Sequence, residues 1–300
     1  MIRKNKGFGI IELMVSILIA SIVIAGMYKL LTSSALNFGI SSASSRSGKT
    51  YRQVDNMLNN LLFQTGFINY RRVAKNEEFG ALDSNFDGKY ADFNDSWQES
   101  EYVRGFEDGD NDAIRIRFWG ASVNDDTSTE VGGANANGFI FDCRGVPVPN
   151  TVMMEMLLRV DAGNGLVCSQ NVLSSTIDAS DFNGIEQVID RSIVALRFIY
   201  GSTYKTYTSG ALNQMYFADE IDGAGDRPDW SDINVVKYAM VTSQNTGQRA
   251  IAGNPPLNLF SANEAPGGVA VQYVVPDNDR YNMHRVVSGS ISFVNANNFE

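Results

Sequence analysis

MIRKNKGFGIIELMVSILIASIVIAGMY, residues 1–28, decides how the rest of the chain must be arranged. Arg3, Lys4 and Lys6 precede Gly7, and from Phe8 to Tyr28 the only charged side chain is Glu12. As an α-helix this stretch is about 30 Å long, the thickness of a bilayer's hydrocarbon core. A carboxylate within such a segment costs about 2.5–3.5 kcal/mol on insertion, so something must offset it. Glu12 is therefore the first candidate functional residue. The three cations put the N-terminus on the cytoplasmic side. A secretory signal would carry a small-residue cleavage site after the apolar run. Here the processing signal lies before it, at Gly7-Phe8, and cutting there leaves the hydrophobic helix on the mature protein. A plain signal anchor explains the cations but neither Glu12 nor the Gly7-Phe8 junction.

The pattern K-G-F-x-x-x-E at Lys6, Gly7, Phe8 and Glu12 resembles the class III leader of type IV pilins and type II secretion pseudopilins. The resemblance implies that a prepilin peptidase cuts after Gly7 and N-methylates Phe8. It also implies that Glu12 pairs, in a filament, with the N-terminal amine of a neighbouring subunit. A desolvated pair of that kind is costly to break from one side, which makes Glu12 a registry device.

Composition fits an exported, membrane-tethered protein with a sizeable core. The 300 residues carry a formal net charge of -10, and loss of Arg3, Lys4 and Lys6 takes it to -13. Such a surface repels phosphate backbones, so no direct nucleic-acid binding is expected. Outside the cytoplasm the two cysteines, Cys143 and Cys168, are most simply one disulfide.

Beyond Tyr28 a tract rich in serine and glycine lowers helix propensity. Val54, Met57, Leu58, Leu61 and Leu62 then restore one apolar stripe at helical spacing. A single helix from about residue 9 to about residue 64 is expected, with bending or local melting at Gly39 or Gly48. The resulting division is a leader at 1–7, a helix at 8–64 with its membrane segment at 8–28, and a β-rich domain at 65–300. From residue 113 short strands are expected. Ile114, Ile116 and Phe118 alternate with arginines and face a core. Further strands are expected at 138–143, 154–160, 166–172, the end of 183–201, 233–244, VAVQYVV and 285–295, with a loop over 246–268. The fold class is α+β, type IV pilin-like: a long helix, transmembrane in its first half, packed on antiparallel sheet.

Residues 77–112 hold twelve acids against Lys89 and Arg104, and two motifs there have the chemistry of a calcium loop. One is D-x-N-x-D-G with Asp83, Asn85 and Asp87, although its twelfth position is Asn94 rather than a bidentate glutamate. The other is E-D-G-D-N-D at 107–112, with Asp108, Asp110 and Asp112. Solvated turns are the alternative reading of both, since Asp, Asn and Gly are turn residues. Calcium is the one cofactor these loops suggest. No hydrolase, zincin or phosphate-loop motif occurs, and the lone His284 reads as structural or exposed, so no catalytic residue and no enzyme activity are expected. Trp97, Trp119 and Trp230 could stack on a sugar, but core packing or a subunit contact explains them more simply.

The order of later landmarks extends the resemblance. Cys143 before Gly145, L-x-V-x-x-G-x-G-L-V-C ending at Cys168, G-I-E-Q-V-I-D, D-W-S-D-I-x-x-V-K-Y-A-M-V and R-V-V-S-G-S-I-S-F-V-N look like the PilW family of minor type IV pilins, relatives of the J-type minor pseudopilins. What that implies is a subunit held N-in by one pass of the inner membrane. It would then join other minor pilins and the major pilin on an assembly platform, prime a pilus, and stay at its tip, with or without a tip adhesin. Twitching motility, adhesion or DNA uptake would follow. Small residues Ala20, Ser21, Ala25 and Gly26 would allow helices to approach closely. A minor pseudopilin of type II secretion is the alternative. A membrane-anchored calcium- or carbohydrate-binding module that never polymerises is a second.

Overall fold

The structure is a computed structural model, and it describes residues 9–68, 79–83, 93, 95–122, 136, 138–175, 178–202, 214–224, 228–245, 255–280 and 282–293. Helix α1, Ile10–Phe63, runs unbroken for 54 residues. Gly39 and Gly48, the expected weak points, lie inside it without interrupting it. Gly48 lies beside β11, where a Cβ would stand 4.0 Å from Arg285 Nη1, an ordinary contact.

Burial along α1 begins only at Ala43 and continues through Ser47, Val54, Leu58, Leu61 and Leu62, which share one face. Fully burying a leucine stabilises by about 1.5–3 kcal/mol, so the last two turns bind the helix firmly to the domain. The helix ends where Thr65 N donates to Leu62 O and Gly66 turns at φ 69°. Gly66 N then donates to Arg117 O, and Phe67 O accepts from Trp119 N, so the exiting chain pairs at once with sheet.

The expected α+β architecture is the one observed. Strands β1 (Val103–Asp108), β2 (Asn111–Trp119), β3 (Val152–Asp161), β4 (Gly165–Ser175) and β5 (Ile185–Asp190) form an antiparallel meander in sequence order. Strands β6 (Ile193–Ser202), β7 (Gln214–Tyr216), β8 (Ile233–Asn245) and β11 (Asn282–Ser292) form a second sheet in the order β11-β8-β6-β7. A short hairpin, β9 (Leu257–Phe260) with β10 (Val271–Tyr273), covers the outer face of β6 and β8 through Leu259 and Phe260. The end of α1 lies in the main core, where Leu58 and Leu61 join Ile116 and Phe118 of the first sheet and Phe198 and Tyr238 of the second.

Two expectations need correction. Residues 138–143 are not a strand. Gly138 bends the chain at φ 75°, Phe139 is 78% exposed, and Phe141 makes only an isolated bridge to Pro147. The Gln64 side chain does what a neighbouring strand would do there: its Nε2 donates to Phe141 O (2.9 Å) and its Oε1 accepts from Phe141 N (3.2 Å). The loop expected over 246–268 contains β9, whose L-N-L-F run is short but has a face to bury. The arginines alternating with Ile114, Ile116 and Phe118 are buried as well: Arg115 and Arg117 are fully covered.

Cys143 and Cys168 are joined as a disulfide across 25 positions, with Cα atoms 5.8 Å apart. Both sulfurs belong to the main core, and the cross-link contributes about 3 kcal/mol on a chain-entropy estimate. It ties the irregular segment after Phe141 to β4.

Candidate functional site

Every residue from Gly9 to Phe38 is exposed. Ile10, Ile11, Met14 and Ile22 are between 64 and 81% exposed on a helix that has none of the described domain residues beside it there. A rod of that length and apolarity, with none of its most apolar window buried, is stable only inside lipid or against other helices. Its polar side chains are largely satisfied within the chain. Ser16 Oγ donates to Glu12 O (2.7 Å) and Ser21 Oγ to Leu18 O (2.8 Å), which removes two hydroxyls from the surroundings.

Glu12 is different. Its Oε2 accepts the Gly9 N–H at 3.2 Å, closing the first turn of α1. An ionised carboxylate can accept about four hydrogen bonds, so most of its capacity is left over. That residual capacity sits on an exposed apolar helix, three residues from the helix N-cap at Gly9. What it can take is a cation carrying N–H donors, in a medium with little water to compete. Gly7 and Phe8 lie outside the described residues.

The acidic motifs form no comparable centre. Asp83 Oδ1 accepts from Ser96 Oγ (2.8 Å), while Asn85 and Asp87 lie outside the described residues. In the second motif Gly109 (φ 61°) and Asp110 make the two-residue turn of the β1–β2 hairpin, where glycine suits the first central position. The Asp108 side chain is outside the description, and Asp110 is exposed. Asp112 points inward, where its Oδ2 accepts from Phe198 N (2.6 Å) and its Oδ1 lies 3.2 Å from Arg197 Nη1. Asn111 Oδ1 accepts from Leu196 N (3.0 Å), and Gly109 O accepts from Arg197. This turn clamps the first sheet to β6. Among the described residues no three or more His, Cys, Asp or Glu side chains are grouped to hold a metal ion.

Burial pushes the Asp112 carboxyl up to about 7, against the opposing pull of Arg197 and the Phe198 N–H. Its folded-state pKa thus stands above the unfolded value near 4, so the folded chain holds this proton more tightly. Its contribution to stability is full below about pH 4 and declines as pH rises towards 7. The expected result is that Asp112→Asn abolishes part of that decline. Urea unfolding of both proteins at several pH values from 4 to 8 reads it, and parallel curves would refute the assignment.

Sequence reasoning missed the other buried charge cluster. Arg115 and Arg117 project from β2 onto the sheet face covered by Phe79, Gly80, Phe93, Asp95 and Trp97. Arg115 donates to Phe93 O and Asp95 O, each at 2.6 Å, and lies 4.3 Å from the Trp97 ring centre. Arg117 donates to Gly80 O (2.7 Å), Gln98 O (2.7 Å) and Glu101 O, with its guanidinium 4.8 Å from Trp97. Trp97 Nε1 donates to Glu155 Oε2 (2.8 Å), and Glu155 stands opposite Arg117 in the β2–β3 register. Burial lowers both guanidinium groups, Arg115 to about 10 and Arg117 to about 9, and both stay charged at neutral pH. The lone glutamate of the apolar run M-E-M-L-L was the available signal. Trp97, Trp119 and Trp230 are all buried, so none offers a face for sugar stacking. His284 Nε2 meets Asp279 Oδ2 at 2.7 Å beside the β8–β11 pairing, a structural role.

Residues 2–28 match the family described as the prokaryotic N-terminal methylation motif. No curated protein matches the chain. Among solved structures, a type IV-like pilin from Thermus thermophilus is similar at 10% identity and a TM-score of 0.41, over 84% of this chain and 98% of that one. The matched motif and the apolar helix that contains it together support anchoring of this chain in a membrane.

Proposed function

We propose that this chain is a minor subunit of a type IV pilus, a structural rather than catalytic protein that primes assembly and remains in the tip complex. One observation carries the reading. Glu12, with acceptor capacity to spare, sits at the head of a helix that nothing in its own domain covers, within a matched methylation motif. Cleavage after Gly7 would create an amino terminus on Phe8, immediately before the Gly9 N–H that Glu12 already holds. An incoming subunit would present the same amine to Glu12 of its neighbour, and the lateral contact would be made by the apolar helices. Close approach at Ala20, Ser21, Ala25 and Gly26 supports dispersion packing there. The domain would stand on the far side of the inner membrane, where the Cys143–Cys168 bond persists.

The test is the mature N-terminus. Mass spectrometry of protein from the native host is expected to find Phe8 first and monomethylated, and deletion of the prepilin peptidase to leave Met1 in place. Residues 1–7 retained in normal cells would overturn the reading. Deleting the pilus and the type II secretion machinery separately tells which machine incorporates the subunit.

A further inference from the structure

Residues 29–63 of α1 contain four cations, Lys29, Arg46, Lys49 and Arg52, and one acid, Asp55. Arg46, Lys49 and Arg52 follow at steps of three, so they neighbour one another on the helix surface. All three are exposed, on the half of the helix turned away from buried Ala43, Val54 and Leu58. Arg285 of β11 widens the strip: it is exposed, its guanidinium lies 5.4 Å from the Tyr51 ring centre, and Nη1 stands beside Gly48. Asp55, three residues beyond Arg52, accepts the Tyr238 hydroxyl at 2.5 Å and is one acid against these four cations, so the strip keeps a net positive charge. Elsewhere Arg104, Arg144, Arg197, Lys237 and Arg280 each face a carboxylate. Among the described residues, Arg46, Lys49, Arg52 and Arg285 face none.

We propose that this strip is a docking surface for the carboxylate-rich face of a neighbouring prepilin-type subunit, an inference that rests on the assembly reading above. Four cations that meet no carboxylate of the described residues, on a chain whose processed charge is -13, are the complement of the acidic surface that this chain otherwise carries. The strip also continues the exposed apolar rod, since Phe38 and Ile40 just before it are 78 and 49% exposed and need the same neighbour. Lys49 stands about 30 Å along the helix from Tyr28, roughly three Debye lengths at 0.1 M salt, so lipid headgroups are screened from it. The acidic balance of the rest of the chain opposes a nucleic-acid duplex. Exposed charges at a contact set partner choice, register and salt dependence, which is the function assigned to these four.

The experiment uses the full chain in its native membranes. In Lys49→Cys the new thiol is the one free cysteine, because Cys143 and Cys168 are bonded to each other. A short thiol-to-amine or thiol-to-carboxyl cross-linker is expected to join it to an acidic segment of a subunit that itself carries a prepilin motif. Co-isolation of that subunit should fall about tenfold in the triple variant Arg46→Gln, Lys49→Gln, Arg52→Gln, and for the unaltered protein about tenfold between 0.1 and 1 M salt. Adducts with lipid, with DNA, or with a surface free of carboxylates would overturn the proposal. So would a triple variant that co-isolates as the parent does. If the triple variant is silent while Glu12→Ala abolishes co-isolation, the assembly reading stands and the docking surface falls. Unfolding curves of the triple variant, expected to match the parent, exclude a folding defect.

Discussion

Glu12→Ala is expected to abolish entry of this protein into filaments while leaving its membrane insertion and its domain intact. Removing a carboxylate from the apolar run makes insertion easier, by up to about 2.5–3.5 kcal/mol, so loss of the protein from the membrane cannot explain the defect. Nor can unfolding, because the first residue of α1 buried in the domain is Ala43, about 45 Å along the helix. What disappears is the acceptor whose spare capacity faces outward, beyond the single bond from Gly9. A neighbour's ammonium would then be buried without a partner, a loss of about 3–5 kcal/mol for a desolvated pair broken from one side. Over successive additions that is enough to stop growth. The measurement compares the variant in sheared filaments and in membranes. Equal recovery of variant and parent in filaments would remove the basis of the proposed function. Glu12→Gln, which keeps the bond to Gly9 and loses the charge, is expected to fall near the alanine variant if charge pairing is the cause.

The second large effect is expected within the domain. Arg117→Met should destabilise it by about 3–5 kcal/mol, the cost of removing one partner from a buried, hydrogen-bonded charge cluster. Methionine fills much of the volume, so the loss is not chiefly a cavity. It comes from the carbonyls of Gly80, Gln98 and Glu101, which lose their donor, and from Glu155, which keeps its charge next to Trp97 with a cation gone. The backbone at Gly80, Gln98 and Glu101 should loosen first, because the Arg117 side chain is bonded to all three carbonyls. Arg280→Met is the control. Its ion pair with Asp277 is solvent-exposed on both sides, and exposed pairs contribute about 0–1 kcal/mol. Denaturant unfolding separates the two variants. If Arg117→Met were as stable as Arg280→Met, the buried network would have no structural role.

The parts legible in the sequence share one property: burial there follows a simple period. The apolar run at 8–28, the stripe Val54–Leu62 and the alternation in β2, β6 and β8 each announce a face, and α1, Ile10–Phe63, ends within a residue of the expected boundary. Where the cover comes from a distant segment, the period misleads. Burial of Arg115 and Arg117 could not be read from β2, because alternation reports one sheet face, and the second is closed by residues such as Phe79, Phe93 and Trp97. GFIFDC has strand composition, yet its edge is taken by a side chain, Gln64, which no local pattern forecasts. In E-D-G-D-N-D the residue types suit calcium and a hairpin turn equally. Only the position of β6 shows that Asn111 and Asp112 bind backbone N–H groups there. Glu12 was legible for the opposite reason, being a charge where the surrounding chemistry forbids one.

Because α1 is unbroken from Ile10 to Phe63, a pull on the fibre would reach the domain along a stiff rod rather than through a slack tether. The tension would be delivered as shear onto Leu58, Leu61 and Leu62. It would then pass through the Gln64 clasp on Phe141, two residues before the covalent link from Cys143 to Cys168. In a filament of the proposed kind the load would thus pass beside a covalent cross-link.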